Sequence, residues 1–201
     1  MVAYEGNGVG GLGRQILHGM NSAPQMIITK ARDVSYEWPV WHTGLSAIGN
    51  NLRLNGNYAE LSANNNIYGG TGNALPTTDH WTVGSHSLVN ANGNKYLALL
   101  FASVEGISKV GYYTGTGNNQ SVTTGFQPRF ILIKRTSYAE DWFIFDSLRG
   151  LVSGSPDPYL RPNDTAAQVT TASFFDISST GFTVTANFTN NANNYIYYAH
   201  A

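Results

Sequence analysis

Pro24-Gln25-Met26-Ile27-Ile28-Thr29-Lys30 returns in the second half of the chain as Pro128-Arg129-Phe130-Ile131-Leu132-Ile133-Lys134. Each copy is a proline, an apolar run of strand length and a lysine. Proline lacks a backbone donor and is tolerated at the first residue of a strand, so both runs read as strands with a defined start. The register then holds. Glu37-Trp38-Pro39-Val40-Trp41-His42-Thr43 matches Asp141-Trp142-Phe143-Ile144-Phe145-Asp146-Ser147, and Leu52-Arg53-Leu54-Asn55 matches Leu160-Arg161-Pro162-Asn163. Upstream, Val2-Ala3-Tyr4-Glu5-Gly6-Asn7-Gly8 has its counterpart in Val110-Gly111-Tyr112-Tyr113-Thr114-Gly115-Thr116-Gly117. Each copy closes on an aromatic strand after an Asn-rich turn, at Asn94-Lys95-Tyr96-Leu97 and Asn193-Asn194-Tyr195-Ile196-Tyr197-Tyr198. An internal repeat of this kind sets the domain organisation before any other feature. It predicts two tandem units, residues 1–106 and 107–201. Their seam, Ser103 to Ser108, contains no flexible Gly/Ser tract.

Alternation and turn chemistry give the fold class. Thr183-Val184-Thr185-Ala186 follows the turn Ser178-Ser179-Thr180-Gly181 and pairs as a hairpin with Phe174-Phe175-Asp176-Ile177. Trp142 to Phe145 is continuously apolar, as a strand covered on both faces would be. Tyr195 to Tyr198 carries aromatics on both faces and reads as a central strand. The strongest helical candidate, Gly44 to Ile48, is too short to matter. Lys30, Arg32, Lys134 and Arg135 sit just past apolar strands, and Glu37 and Asp141 just before the next, so their charges are expected to cap exposed hairpin ends. The expectation is an all-β chain of two β-sandwich, jelly-roll-like units.

Composition agrees. Of 201 residues, 42% are hydrophobic and 12% aromatic, enough for a core, whereas only 11% are charged. Gly, Asn, Ser and Thr take the place of charge, and these form turns better than helix interiors. The formal net charge of −1 provides no basic stripe for a phosphate backbone, so nucleic acid is not an expected partner. No stretch has the ~20 consecutive apolar residues of a membrane helix, so membrane insertion is not expected. The segment Met1 to Glu5 lacks the charged and apolar regions of a signal peptide. With no cysteine, disulfides, Cys-based zinc sites and thiol nucleophiles are excluded.

Catalytic patterns are weak. His18, His42, His80, His86 and His200 have no metal-ligand spacing. No Gly-x-Ser-x-Gly elbow is present. Glu105 and Asp146 are the least improbable carboxylates for acid–base work, but nothing brings them together. Gly6-Asn7-Gly8-Val9-Gly10-Gly11-Leu12-Gly13 resembles a phosphate loop but lacks the following helix and Lys-Ser/Thr. No enzyme activity, cofactor or metal is therefore expected. Trp38, Trp41, Trp81 and Trp142 could stack on sugars, yet Trp38 and Trp142 share one repeat position, which favours a core role for both. Tyr58 and Tyr68 are better placed for a surface role.

One segment looks unmatched. Between Leu61 and Pro76 the first copy carries Asn64-Asn65-Asn66-Ile67-Tyr68-Gly69-Gly70-Thr71-Gly72, which reads as a surface loop inserted into a fold that does not need it. Ile67 and Tyr68 are its apolar residues and are expected to contact a neighbouring subunit, another protein or a receptor.

The combined pattern resembles a known family. Tyr113 to Gly117, Thr124 to Arg135, Asp141 to Gly150, Ser179 to Val184 and Asn193 to Ala199 are similar to an uncharacterised repeat domain of tail-fibre and appendage proteins in marine and cyanobacterial phages. The likeness covers nearly all of the second copy. The first copy departs from it, with His42 in place of the Asp and Trp41 in place of Phe145. The resemblance implies a virion structural protein, a tail fibre or appendage component with an adhesion or assembly role. It further implies location on the particle surface, self-association as a homotrimer, contacts with other virion proteins and a host surface glycan as a possible receptor. A carbohydrate-binding module, alone or on a depolymerase, and a capsid decoration or head-fibre protein are the alternatives. The resemblance brings no catalytic residues with it.

Overall fold

The expected repeat is present in the computed structural model as two units, Met1–Ala102 and Ser103–Ala201. Residues 1–62, 67–154, 156–186, 188 and 192–201 are described. The first unit contains β1 (Val2–Glu5), β2 (Arg14–Leu17), β3 (Met26–Ala31), β4 (Pro39–His42), β5 (Leu52–Arg53), β6 (His80–Val83), α1 (Ser87–Asn90) and β7 (Lys95–Phe101). The second contains β8 (Ser108–Thr114), β9 (Gln120–Thr123), β10 (Phe130–Arg135), β11 (Trp142–Asp146), β12 (Tyr159–Leu160), β13 (Phe175–Ser178), β14 (Gly181–Val184) and β15 (Asn194–His200).

Each unit has one five-stranded antiparallel sheet, in the order β1-β7-β3-β4-β5 and, read in the same sense, β8-β15-β10-β11-β12. The smaller second sheets are β2-β6 and β9-β14-β13. Registers coincide as well as orders. Tyr4 faces Tyr96 and Tyr113 faces Tyr195. Met26 faces His42 and Phe130 faces Asp146. Val40 faces Leu52 and Ile144 faces Leu160. The first and last strands of each unit pair in one sheet, and the second and penultimate pair in the other. That nesting of chain ends is the jelly-roll feature, and the middle strands then meander within the larger sheet.

The two sheets of a unit bury their inner faces against each other. In the first unit the core joins Ile16, Ile27, Trp41, Trp81, Val83 and Ala98. In the second it is mostly aromatic, with Phe143, Phe145, Phe175, Phe182, Phe188, Tyr195 and Tyr197. Edge-to-face pairs such as Phe145–Phe175, with centroids 4.6 Å apart, dominate there. This geometry places positive ring edges on negative faces. A stacked tyrosine pair is common to both units, Tyr4–Tyr96 at 5.2 Å and Tyr113–Tyr195 at 4.9 Å. The inner tyrosine in turn holds the last loop before its strand. Tyr96 Oη donates to Ser87 O at 2.6 Å and Tyr195 Oη to Phe188 O at 3.2 Å.

Four expectations need correction. The unit boundary falls between Ala102 and Ser103, not 106 and 107, because residues 103–107 bond within the second unit. Ser103 Oγ binds both backbone groups of Val110, and Ala201 N donates to Ile107 O. Trp142 is buried, but Trp38 precedes β4 and is only half-buried, with Lys30 Nζ 5.7 Å from its ring centroid. Lys134 does not cap an exposed end. It is fully buried, donates to Arg135 O at 2.6 Å, and burial lowers its pKa to about 8. Residues 44–48, expected to be too short for a helix of consequence, form turns and bends in agreement, and the helix among the described residues is α1, with His86 Nδ1 accepting from Leu88 N.

The fourth and largest correction concerns the unmatched segment. Tyr68 bridges Val83 of β6, Gly69 N donates to Thr82 O, and Gly84 N donates to Ile67 O. The corresponding position in the second unit is β13, where Phe175 faces Val184 of β14. Residues 67–70 are thus the third strand of the smaller sheet, shortened to a bridge, and not an insertion. The preceding residues Asn64 to Asn66 of the expected loop lie outside the described residues.

Candidate functional site: an arginine-lined groove in the second unit

Ile67 and Tyr68, expected at a surface, are 5% and 2% exposed and belong to the core. Tyr68 Oη donates to Pro39 O at 3.0 Å and lies 2.9 Å from Thr29 Oγ1. Burial pushes the Tyr68 hydroxyl well above the ordinary phenol range. An apolar pair beside a close-packed glycine is a core signature, because Gly70 lies where an added Cβ would strike the backbone of Leu12. These residues cannot meet a partner without opening the unit.

Most polar residues singled out in the sequence do structural work. The Gly-rich segment after β1 is tied down by buried Asn90, whose Oδ1 accepts from Asn7 N at 3.0 Å and whose carbonyl accepts from Gly8 N at 2.8 Å. Trp41, Trp81 and Trp142 are buried and offer no face for sugar stacking, while Tyr58 is 47% exposed. Glu105 is exposed, and Asp146 binds its own turn.

Both units build one polar corner in the same way. Asn55 Oδ1 accepts from Trp38 N at 2.8 Å, and Asn163 Oδ1 accepts from Trp142 N at 2.7 Å. Arg53 Nε pairs with Glu37 at 2.9 Å, and Arg161 Nη1 pairs with Asp141 at 3.3 Å. The corner locks the start of the fourth strand to the end of the fifth. A second buried anchor occurs only in the second unit among the described residues. Asp157 is fully buried, and its Oδ2 accepts from Phe174 N at 2.6 Å and Phe175 N at 2.8 Å. Its Oδ1 has no partner among the described residues, and burial raises its pKa despite the two donors.

The accessible concavity is elsewhere. An open groove of about 500 Å³ lies at the end of the second unit's larger sheet, lined by Arg129, Phe130, Leu148, Arg149 and His200 with the Asp146–Ser147 turn. Asp146 shapes it, because its carboxylate accepts from Arg149 N at 3.0 Å and pairs with the Arg149 guanidinium. Gly150, at φ +118°, then takes a conformation closed to other residues. The turn so held projects Leu148 into solvent, 93% exposed. Arg129 is exposed, and its guanidinium meets no partner among the described residues. The sequence pointed at neither Arg129 nor His200 as site residues. The signal was available in the repeat itself, where Arg129 stands opposite Gln25.

None of the curated proteins and none of the solved structures compared with the chain matches it. A family model does match, and it covers both units and the groove together, over residues 1–201. The chain belongs to that family, the domain of unknown function DUF7483.

Proposed function

We propose that the protein is a non-enzymatic structural component of a phage particle, a tail fibre or appendage module that serves adhesion or assembly. The observation that carries the proposal is the duplication of one cysteine-free sandwich with its polar corner intact in both copies. Tandem rigid sandwiches suit a load-bearing or surface-presenting role, in which loops on a scaffold do the recognition. The likeness of residues 113–199 to phage appendage repeats supports the same assignment. In this proposal the protein resides on the particle surface, self-associates as a trimer and meets other virion proteins and a host glycan.

Antibody raised against the protein should label particles at the tail or an appendage in immunogold microscopy. Light scattering of the purified chain should give the mass of a trimer. Label confined to the head would favour a decoration or head-fibre protein, and particles without label would end the virion assignment. A second assignment, a carbohydrate-binding module, is favoured by the open groove of the second unit. Strong glycan-array binding by a protein absent from particles would select it.

A further inference from the structure

The two units of this chain act as controls for each other at the groove. Arg129 occupies the position of Gln25, since Arg129 N donates to His200 O at 2.8 Å as Gln25 N donates to Phe101 O at 2.8 Å. Ser147 N donates to Arg129 O at 2.9 Å as Thr43 N donates to Gln25 O at 2.9 Å. The same bonds place His200 at the position of Phe101, and counting along the turn from Asp146 and His42 places Arg149 at that of Leu45. Three positions, on three separate segments, are neutral in the first unit and basic or imidazole-bearing in the second. The backbone hydrogen bonds form equally well either way, so the local fold does not demand these side chains. What they create is a concavity of ligand size with a free guanidinium at one wall.

The lining also limits the ligand. Arg149 is engaged by Asp146, and His200 Nδ1 lies 2.7 Å from Ala201 O, which leaves the Arg129 guanidinium as the donor. A planar guanidinium suits a carboxylate in two-pronged contact. Leu148 and Phe130 offer apolar surface beside it, 93% exposed in the case of Leu148. A bare inorganic anion would leave that surface unused. We infer that the groove binds an acidic saccharide, with the sugar carboxylate on Arg129 and the pyranose face against Leu148 and Phe130. The inference rests on the second unit alone and stands whether or not the protein is a virion component.

Calorimetric titration of the full chain with galacturonate oligomers tests it, with neutral galactose oligomers and inorganic phosphate as comparison probes. The acidic oligomer should bind at least about tenfold more tightly than either comparison probe, as expected when a charge-assisted contact is present in one and missing in the other. Arg129→Gln and His200→Phe install the first unit's own residues, so melting should stay unchanged while affinity falls about tenfold or more for Arg129→Gln. Leu148→Ser should weaken the oligomer and leave phosphate unaffected. Equal binding of acidic and neutral oligomers, phosphate binding as tight as the oligomer, or full affinity in Arg129→Gln would each overturn the inference.

Discussion

Tyr68 decides whether residues 67–70 are a strand of the first unit or a loop laid on its surface. Tyr68→Phe removes one hydroxyl that serves Pro39 O at 3.0 Å and Thr29 Oγ1 at 2.9 Å, both in a buried setting. Leaving buried groups of this kind unpaired costs about 1–3 kcal/mol. Tyr68→Ala also opens a cavity under Val83 and Trp81, and truncation of a buried aromatic costs about 3–5 kcal/mol. For a unit of this size each kcal/mol moves the melting temperature by roughly 4–8 °C. Tyr68→Phe should therefore lower the first unit's melting temperature by at least ~4 °C, and Tyr68→Ala by ~12 °C or more. Tryptophan fluorescence is suited to the assay, because Trp38, Trp41 and Trp81 lie in the first unit and Trp142 alone in the second. A Trp142→Phe background makes the signal specific. Deletion of residues 67–73 should abolish the first unit's transition altogether. If Tyr68→Ala melts within about 2 °C of the parent, below any cavity cost, the segment is external and the equivalence with β13 fails.

Five further substitutions, at four positions, test the polar groups of the two units. Lys134→Met should stabilise the second unit at neutral pH by about 1–3 kcal/mol, since a buried charge whose desolvation outweighs the pull of Glu140 and Asp141 is replaced by a side chain of similar length. The lysine pKa falls from 10.5 to about 8 on folding, so its penalty is full below pH 8 and relieved as pH rises toward 10.5. Urea melts of the parent should therefore strengthen across that window and those of Lys134→Met should not. For Asp157 the folded pKa lies above the ordinary 3.8, so the protonated form is the one the fold favours. Its contribution is present below 3.8 and lost as pH rises through the folded value. Asp157→Asn should then raise the melting temperature at neutral pH, while Asp157→Ala, which leaves the Phe174 and Phe175 N–H groups without this acceptor, should cost about 1–3 kcal/mol of stability per group. Asn55→Ala and Asn163→Ala should each cost about 1–2 kcal/mol in their own unit, and unequal effects would deny that the two corners are equivalent.

The elements legible in the sequence are those in which one continuous segment carries its own signal. β10 and β11 have apolar runs bounded by Lys134 and Asp141, and they pair as the expected hairpin. The hairpin of β13 and β14 was equally readable from its Ser-Ser-Thr-Gly turn, and β15 is central between β10 and β8 as its aromatics indicated. The Tyr68 segment was not readable. Its two core residues are embedded in Asn and Gly, and its role depends on Gly70 approaching the backbone of Leu12, which no local pattern encodes. Trp38 and Trp142 share a sequence position and a backbone hydrogen bond but differ in burial, because burial is set by what covers them and not by register. The groove was hidden for a related reason. Arg129, Arg149 and His200 come from three segments and converge only once the sheet is assembled.

A duplicated chain separates the demands of folding from other demands without reference to any other protein. What both copies retain at matched positions is what the sandwich needs. The retained set is coherent, comprising the stacked tyrosine pair, the tyrosine bond to the preceding loop, and the Asn and Arg corner at the end of the fifth strand. Each item of that set ties a loop to the larger sheet, so each acts on the backbone both copies share. The differences divide in two. Some are exchanges within the core, such as Trp81 for Phe182 or Trp41 for Phe145, where volume is redistributed among neighbours and no new chemistry appears. The exchanges at Gln25, Leu45 and Phe101 are of another kind, since they add two arginines and an imidazole at an exposed, concave surface and leave the backbone hydrogen bonds unchanged. Gln25, Leu45 and Phe101 are half-buried in the first unit, whereas Arg129, Arg149 and His200 are exposed in the second. The family model spans both copies as one stretch, so the pair is the family's unit. In the proposed surface module, recognition by one of the two sandwiches would leave the other as spacer or assembly contact.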